Sequence, residues 1–375
     1  MLRFSGVGYS WPAWGILSIF LSIVGGAFDV AADPSTRSVF KVGAIVPLSG
    51  PLADYGETVR NGFELAKQDN PEFFKTVDFV YEDSKYDGKT SLSAFNALFA
   101  RGDIDLYYIW GVTPNETLLP ILSARDLPVI SETSLKAAPV GKPLVVRAAP
   151  TGDMTARVLS EEIRRREYRS VGVLMVDIPY YRDITDALER YLAAFGARIK
   201  VIDTVPVDMN DFKTTISKVR SKNYDAIGVF LLNDQVVTYY HQSRALKDLT
   251  PTFGASIHDS QALLSRAGPG AEGVVFVGYD VVPHFRERWL ELYKDDSRVG
   301  CGANAYDTAV MIGEQFHQQG SAKLSGAEVI GRFSSIRNRK GVSGDFSFAE
   351  TPEAGKHFDL PLSARIFRNG RIERP

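Results

Sequence analysis

The stretch that decides the fold is Lys41-Val-Gly-Ala-Ile-Val-Pro-Leu-Ser-Gly-Pro-Leu-Ala-Asp-Tyr-Gly56. Val42 to Val46 is an apolar run of buried-strand length. Pro47 ends it, Ser49-Gly50-Pro51 forms a tight turn, and a helical pattern begins at Gly56. That order places small polar groups at the carboxyl end of a strand, where open α/β sheets hold ligands. Gly50 and Gly56 give the backbone conformations that a side chain resists. Between them Tyr55 offers a broad apolar ring with a hydroxyl at its tip. A plain strand–turn–helix connection meets the same pattern, so this stretch alone does not make a site.

Downstream the alternation continues. Apolar periodicity predicts strands at 41–46, 76–81, 104–110, 128–131 and 144–147, with helices at 57–68, 89–99 and 117–125. A second round opens with a helix at 155–166. It runs through strands at 170–176, 198–205, 226–231, 252–254 and 273–277, with helices at 183–195, 212–222 and 235–247. Helices of this length between strands imply right-handed crossovers and parallel sheets covered on both faces. The fold class is therefore α/β, with two Rossmann-like lobes. Helices at 285–293, 304–316 and 326–332 have no strand round of their own and are expected to pack back on the lobes. A last apolar hairpin is expected from 345–348 and 364–367, with a turn at Asn369-Gly370. This predicts three hinge crossings, near 150–152, 278 and 341–344. Residues 38–150 and 279–341 then form the first lobe, and 151–278 and 342–375 the second.

The composition is that of a soluble globular protein, with 45% hydrophobic and 23% charged residues among 375. A net charge of −2 without a long basic run argues against nucleic acid as the main partner. Arg164-Arg165-Arg166 lies among Glu161, Glu162 and Glu167, the pattern of a solvated helix face. The first 32 residues differ in character: Arg3, an apolar run from Trp14 to Val24, and Val30-Ala31-Ala32 read as a secretory signal peptide. No cysteine stands near that cleavage region, so a lipid anchor is not expected, and the mature chain is expected to be exported. Cys301 is the sole cysteine, which excludes an intramolecular disulfide and a thiolate metal cluster.

Catalytic motifs are missing. Tyr81 and Lys85 have the spacing of a reductase pair, but no glycine-rich dinucleotide turn follows the first strand. The five histidines are scattered, so neither a metal site nor a cofactor is expected. What remains is a series of polar groups at strand carboxyl ends: Thr113 and Asn115, then Ser131, Thr133 and Ser134, in the first round. The second round adds Asp177 with Tyr180-Tyr181, Asn233-Asp234, and Ser256 to Asp259. Helix capping explains any one of them. Their common edge suggests an anion cradle.

Ser49-Gly-Pro-Leu-Ala-Asp-Tyr-Gly56 after its strand, Asp126-Leu-Pro-Val-Ile-Ser131, the crossing that contains Arg147, and Ala267-Gly268 with Ala271-Glu272-Gly273 resemble the branched-chain amino acid and amide class of type I periplasmic binding proteins. These Leu/Ile/Val-binding-protein-like receptors serve ABC importers, and the resemblance covers nearly all of the mature chain. It implies that Tyr55 packs on a ligand, that Thr113 and Asn115 lie in a carboxylate-binding stretch, and that Thr133 and Ser134 lie in a second such turn. It also implies that Tyr181 covers the ligand from the far lobe and that Asn233 or Asp234 belongs to another contacting turn. Amino-acid binders of the family carry a glutamate for the ligand ammonium where Ser256 stands, and a pocket phenylalanine at or near Cys301. A buried ammonium without counter-charge costs several kcal/mol, so the resemblance implies an amino acid, an amide or an aromatic acid, with leucine disfavoured unless Asp234, Asp259 or Asp280 compensates. The expected partners are that small molecule and an ABC permease, with the chain acting as a monomer. A receptor for a sensor kinase or chemoreceptor is the alternative, and an α/β enzyme a more distant one.

Overall fold

The computed structural model describes residues 39–320 and 322–375; the expected signal peptide at 1–32 lies outside them. The apolar run forms β1 (Phe40–Val46), in which Val42, Ala44, Ile45 and Val46 are fully buried. α1 (Ala53–Asp69) follows and packs Val59, Phe63 and Ala66 under the sheet. Gly56 is required by contact: a Cβ there would lie 1.9 Å from the Pro47 carbonyl oxygen. The turn between them is tied to the next strand. Asp83 accepts the Leu48 N–H at 2.8 Å and the Ser49 hydroxyl at 2.6 Å.

The first round continues as β2 (Val77–Asp83), α2 (Gly88–Ala100), β3 (Leu106–Trp110), α3 (Val112–Ser123), β4 (Val129–Glu132) and β5 (Val145–Arg147). The second comprises α4 (Gly152–Arg165), β6 (Ser170–Val176), α5 (Pro179–Ala193), β7 (Arg198–Val205), α6 (Lys213–Lys222), β8 (Ala226–Phe230), α7 (Asn233–Ala245), β9 (Thr252–Gly254), α8 (Gln261–Ala267) and β10 (Val275–Tyr279). α9 (Pro283–Tyr293), α10 (Val299–Phe316), α11 (Gly326–Phe333) and the strands β11 (Ser347–Thr351), β12 (Gly355–Asp359), β13 (Leu362–Arg368) and β14 (Arg371–Glu373) complete the chain.

The two sheets repeat one plan. The first has the order β2-β1-β3-β4-β5-β12-β11 and the second β7-β6-β8-β9-β10-β13-β14. In each, the five strands of the round are mutually parallel and reverse direction of growth at their first strand. That reversal is the topological switch point at which ligands sit in doubly wound folds. Two seven-stranded, mostly parallel sheets clad by helices confirm the two-lobed α/β reading. Each lobe has its own apolar core, around Tyr108 and Phe63 in one and Phe230 and Tyr239 in the other.

The tail departs from expectation. The apolar segments near 345–348 and 364–367 do not pair with each other: β11 pairs antiparallel with β12, and β13 with β14. β12 adds to the first sheet through His357 opposite Arg147, and β13 adds to the second along β10. The stretch 342–375, expected in the second lobe, is therefore divided, with 347–359 in the first sheet. Asn369 and Gly370, both with positive φ, form the β13–β14 turn. α9 and α10 return to the first lobe, where Arg288 pairs with Asp69 of α1 at 2.6 and 2.7 Å.

The chain passes between the sheets at Ala148–Thr151, at Asp280–Val282 and at Leu360–Pro361. The loop 341–344, expected as the third crossing, is instead pinned to α10. The buried Asp307 carboxylate accepts the Val342 and Ser343 N–H groups at 2.9 and 2.7 Å and the Ser343 hydroxyl at 2.6 Å. The loop lies against the crossings without forming one, since the Val282 N–H donates to the Val342 carbonyl at 2.9 Å.

Candidate functional site

The carboxyl ends of β1, β3 and β4 face those of β6, β8 and β10 across a cavity of about 200 Å³. At roughly 30 Å³ per water, this is room for a ligand the size of one ring or one amino acid. Six aromatic side chains line it: Tyr55, Tyr86 and Trp110 from the first lobe, Tyr180 and Tyr181 from the second, and Tyr279 from the end of β10. Tyr55 stacks on Trp110 at 5.2 Å between centroids, and Tyr86 tilts against the other side at 5.9 Å. Tyr181 is held by its hydroxyl, which donates to the Leu231 carbonyl at 2.8 Å, and Tyr180 shares a 3.1 Å hydrogen bond with Thr155.

Of the nine residues singled out in the sequence, Tyr55, Thr133, Ser134, Tyr181 and Ser256 line this cavity. The Ser134 hydroxyl is buried and has no hydrogen-bond partner among the described residues. Thr113 and Asn115 are placed otherwise than expected, because α3 begins at Val112, five residues before the predicted start. Gly111, at φ +93°, lets β3 turn directly into the helix. Asn115 then lies inside the helix and is fully occupied: it donates to the carbonyls of Ile109 and Gly111 at 3.0 and 2.7 Å and accepts the Ser131 hydroxyl at 2.6 Å. It is a brace behind the wall. Asn233 opens α7 away from the cavity, and Asp234 points outward with its side chain 80% exposed, paired with Arg266 at 2.6 Å. Asp234 therefore supplies no charge to the cleft.

Three charged groups reach the cavity wall. Asp259 is bound by both oxygens to one Arg286 nitrogen at 2.9 and 3.0 Å. Arg298 is paired with Asp295 at 2.9 Å and lies 5.6 Å from the Tyr55 ring centroid. Glu132 is the third, and sequence reasoning passed over it because its strand register reads as an ordinary β4 end. It is 4% exposed and makes no ion pair among the described residues. Its oxygens accept the Asn304 amide at 2.8 and 2.9 Å and the Tyr108 hydroxyl at 3.3 Å. Burial pushes its carboxyl up to about 8 against these stabilising bonds. Asp280, the remaining acid considered as a counter-charge, is taken by Arg365 at 2.7 Å. Burial likewise pushes the Cys301 thiol, on the same wall, up to about 12, so it is not a thiolate. No cluster of three or more His, Cys, Asp or Glu suited to a metal occurs among the described residues.

A second space of about 530 Å³ also lies between the lobes. Lys136 and Lys142 line it from the first, and Asp153, Asp183 and Asp186 from the second.

Two like lobes, three crossings and a ring-lined cavity at facing switch points are the architecture of the periplasmic binding protein class. The chain belongs to the periplasmic binding protein family, whose pattern it matches over residues 39–358. It is 26% identical over 215 residues to Leu/Ile/Val-binding protein homolog 6 of Brucella suis, covering 55% of this chain and 54% of that protein. The chain thus spans about half the length of that relative. A solute-binding protein of an ABC transporter from Rhodopseudomonas palustris, solved with 3,4-dihydroxybenzoic acid, superposes with a TM-score of 0.77 at 18% identity over 89% of this chain and 95% of that one. The branched-chain amino acid transporter substrate-binding protein LivJ from Streptococcus pneumoniae, solved with isoleucine, gives 0.72 at 17% identity over 89% and 98%.

Proposed function

We propose that this protein is an extracytoplasmic solute receptor that closes on one small ligand and delivers it to the permease of an ABC importer. The observation that carries the reading is the 200 Å³ cavity walled by Tyr55 and Trp110 from one lobe and Tyr180 and Tyr181 from the other. A ligand that touches both walls binds the closed form more tightly than the open one, and that difference drives closure. The work is a population shift and needs no catalytic group. The unpartnered Ser134 hydroxyl and the Thr133 turn support a polar or carboxylate end on the ligand, and the rings support a flat or apolar body. Amino acids, amides and aromatic acids all fit that description. The signal-peptide pattern of residues 1–32 supports export to the periplasm.

Thermal-shift screening against amino acids, aromatic acids and amides, with small-angle scattering of each hit, tests the reading. A ligand that raises Tm and reduces the radius of gyration is expected. A protein that stays in one rigid state and is stabilised by none of them is not a receptor of this kind.

A further inference from the structure

We propose that Glu132 is the specificity-determining counter-charge of the cavity and that the ligand carries a cationic nitrogen seated against it, with or without a carboxylate. The proposal rests on the receptor reading above and concerns which ligand that cleft selects.

The argument begins with the charges on the wall. Arg286 neutralises Asp259, and Asp295 neutralises Arg298, but Glu132 makes hydrogen bonds and no direct ion pair among the described residues. A carboxylate accepts at about four lone-pair positions. Asn304 donates to both Glu132 oxygens and Tyr108 lies in hydrogen-bond reach of one of them, contacts that favour the anion. Yet burial alone disfavours that anion. A ligand cation in the cavity supplies the missing partner and resolves the conflict.

The rings point the same way. Tyr55, Tyr86, Trp110, Tyr180, Tyr181 and Tyr279 line the space, and aromatic rings beside a carboxylate make an environment suited to ammonium groups. The groups facing Glu132 are Tyr108 on β3, Arg147 on β5, Tyr279 on β10, and Cys301 and Asn304 on α10. Arg147, buried and turned to the Ala149 carbonyl of the first crossing, acts on it as a nearby cation, and it does not line the cavity.

The test uses matched probes on the full mature chain. Benzylamine, isoamylamine and choline carry only a cation, benzoate and isocaproate only an anion, and phenylalanine and leucine both. Thermal shift and calorimetry are expected to find binding among probes with a cationic nitrogen, weakened at least tenfold by the near-isosteric E132Q. For choline, whose charge is fixed, the wild-type affinity is expected to rise severalfold from pH 6 to pH 9, a trend that E132Q abolishes. If benzoate or isocaproate binds and every nitrogen-bearing probe fails, or if E132Q leaves the nitrogen-bearing probes unaffected, the counter-charge role is wrong and the receptor reading stands. If no probe of any charge binds, both fall together. The wild-type probe series decides the matter even if E132Q folds poorly.

Discussion

The Tyr55 ring lies on Trp110, centroids 5.2 Å apart and planes inclined by 29°, with the Arg298 guanidinium 5.6 Å from the Tyr55 centroid. One residue of the opening stretch is thus fixed between β3 and α10 as a flat wall. Replacing it by alanine removes a ring's worth of apolar contact, about 1–3 kcal/mol of ligand affinity, or roughly five- to 150-fold. Y55F keeps the ring and is expected to bind almost as the wild type does. Calorimetry with the ligand recovered from native protein by mass spectrometry measures both. Equal affinity in Y55A and wild type would show that this wall is idle.

Gly111 sets the position of a second ring. Its backbone has φ +93° and ψ 162°, and a Cβ there would lie 2.4 Å from the Tyr86 ring. G111A therefore strains the backbone and pushes Tyr86 off Trp110. A loss of about 1–3 kcal/mol in urea unfolding is expected, together with weaker binding. A variant that keeps both stability and affinity would mean that the β3–α3 turn is slack.

Most of the architecture was legible because it depends on period. Strands buried on both faces read as apolar runs, and helices between them show their apolar faces at three- and four-residue spacing. The site was legible only where a residue's chemistry is unusual for its place, as with Tyr55 and Tyr181. Asn115 and Asp234 are polar, as are Thr133, Ser134 and Asp259, which do line the cavity. A five-residue shift in one helix start and an outward rotamer separate them from the cavity. The tail misled for a different reason. A strand's own sequence does not say which of two sheets it joins, and His357 opposite Arg147 is a contact across more than 200 residues. Glu132, Tyr86 and Tyr279 were missed because each ends or follows an unremarkable segment and gains meaning only beside its neighbours.

Asn115 separates bracing from binding. Its side chain serves two carbonyls and the Ser131 hydroxyl inside the lobe. N115A leaves buried polar groups unpaired and is expected to cost about 1–3 kcal/mol in denaturant unfolding, with ligand affinity of the folded protein unchanged. A loss of affinity without loss of stability would return it to the cavity wall.

Asp234 is the converse case. An exposed ion pair with Arg266 contributes little, about 0–1 kcal/mol. D234N is expected to unfold and bind as the wild type does, by urea titration and calorimetry. A tenfold drop in affinity would place this residue in the cleft after all.

Stability against pH tests Glu132 without any ligand. Burial raises its carboxyl from 4.5 to about 8, so the folded state holds the proton more tightly than the unfolded chain. Its contribution is fully present below pH 4.5 and is lost as pH rises through 8. The buried His258 runs in the opposite sense. Burial lowers it from 6.5 to about 4, so its contribution is present above 6.5 and is lost as pH falls through 4. Between pH 6.5 and 8 these two do not overlap, and ligand-free stability is expected to fall with pH. The slope due to Glu132 cannot exceed about 1.4 kcal/mol per pH unit for one proton. Asp259 and Asp307 are also raised by burial and act in the same direction, so the informative quantity is the difference between wild type and E132Q across the window. That difference slopes if Glu132 ionises near neutral pH in the empty cleft. A flat difference would mean that Asn304, Tyr108 and Arg147 already hold the carboxylate charged in the empty cleft, and would contradict the rise in choline affinity expected between pH 6 and pH 9.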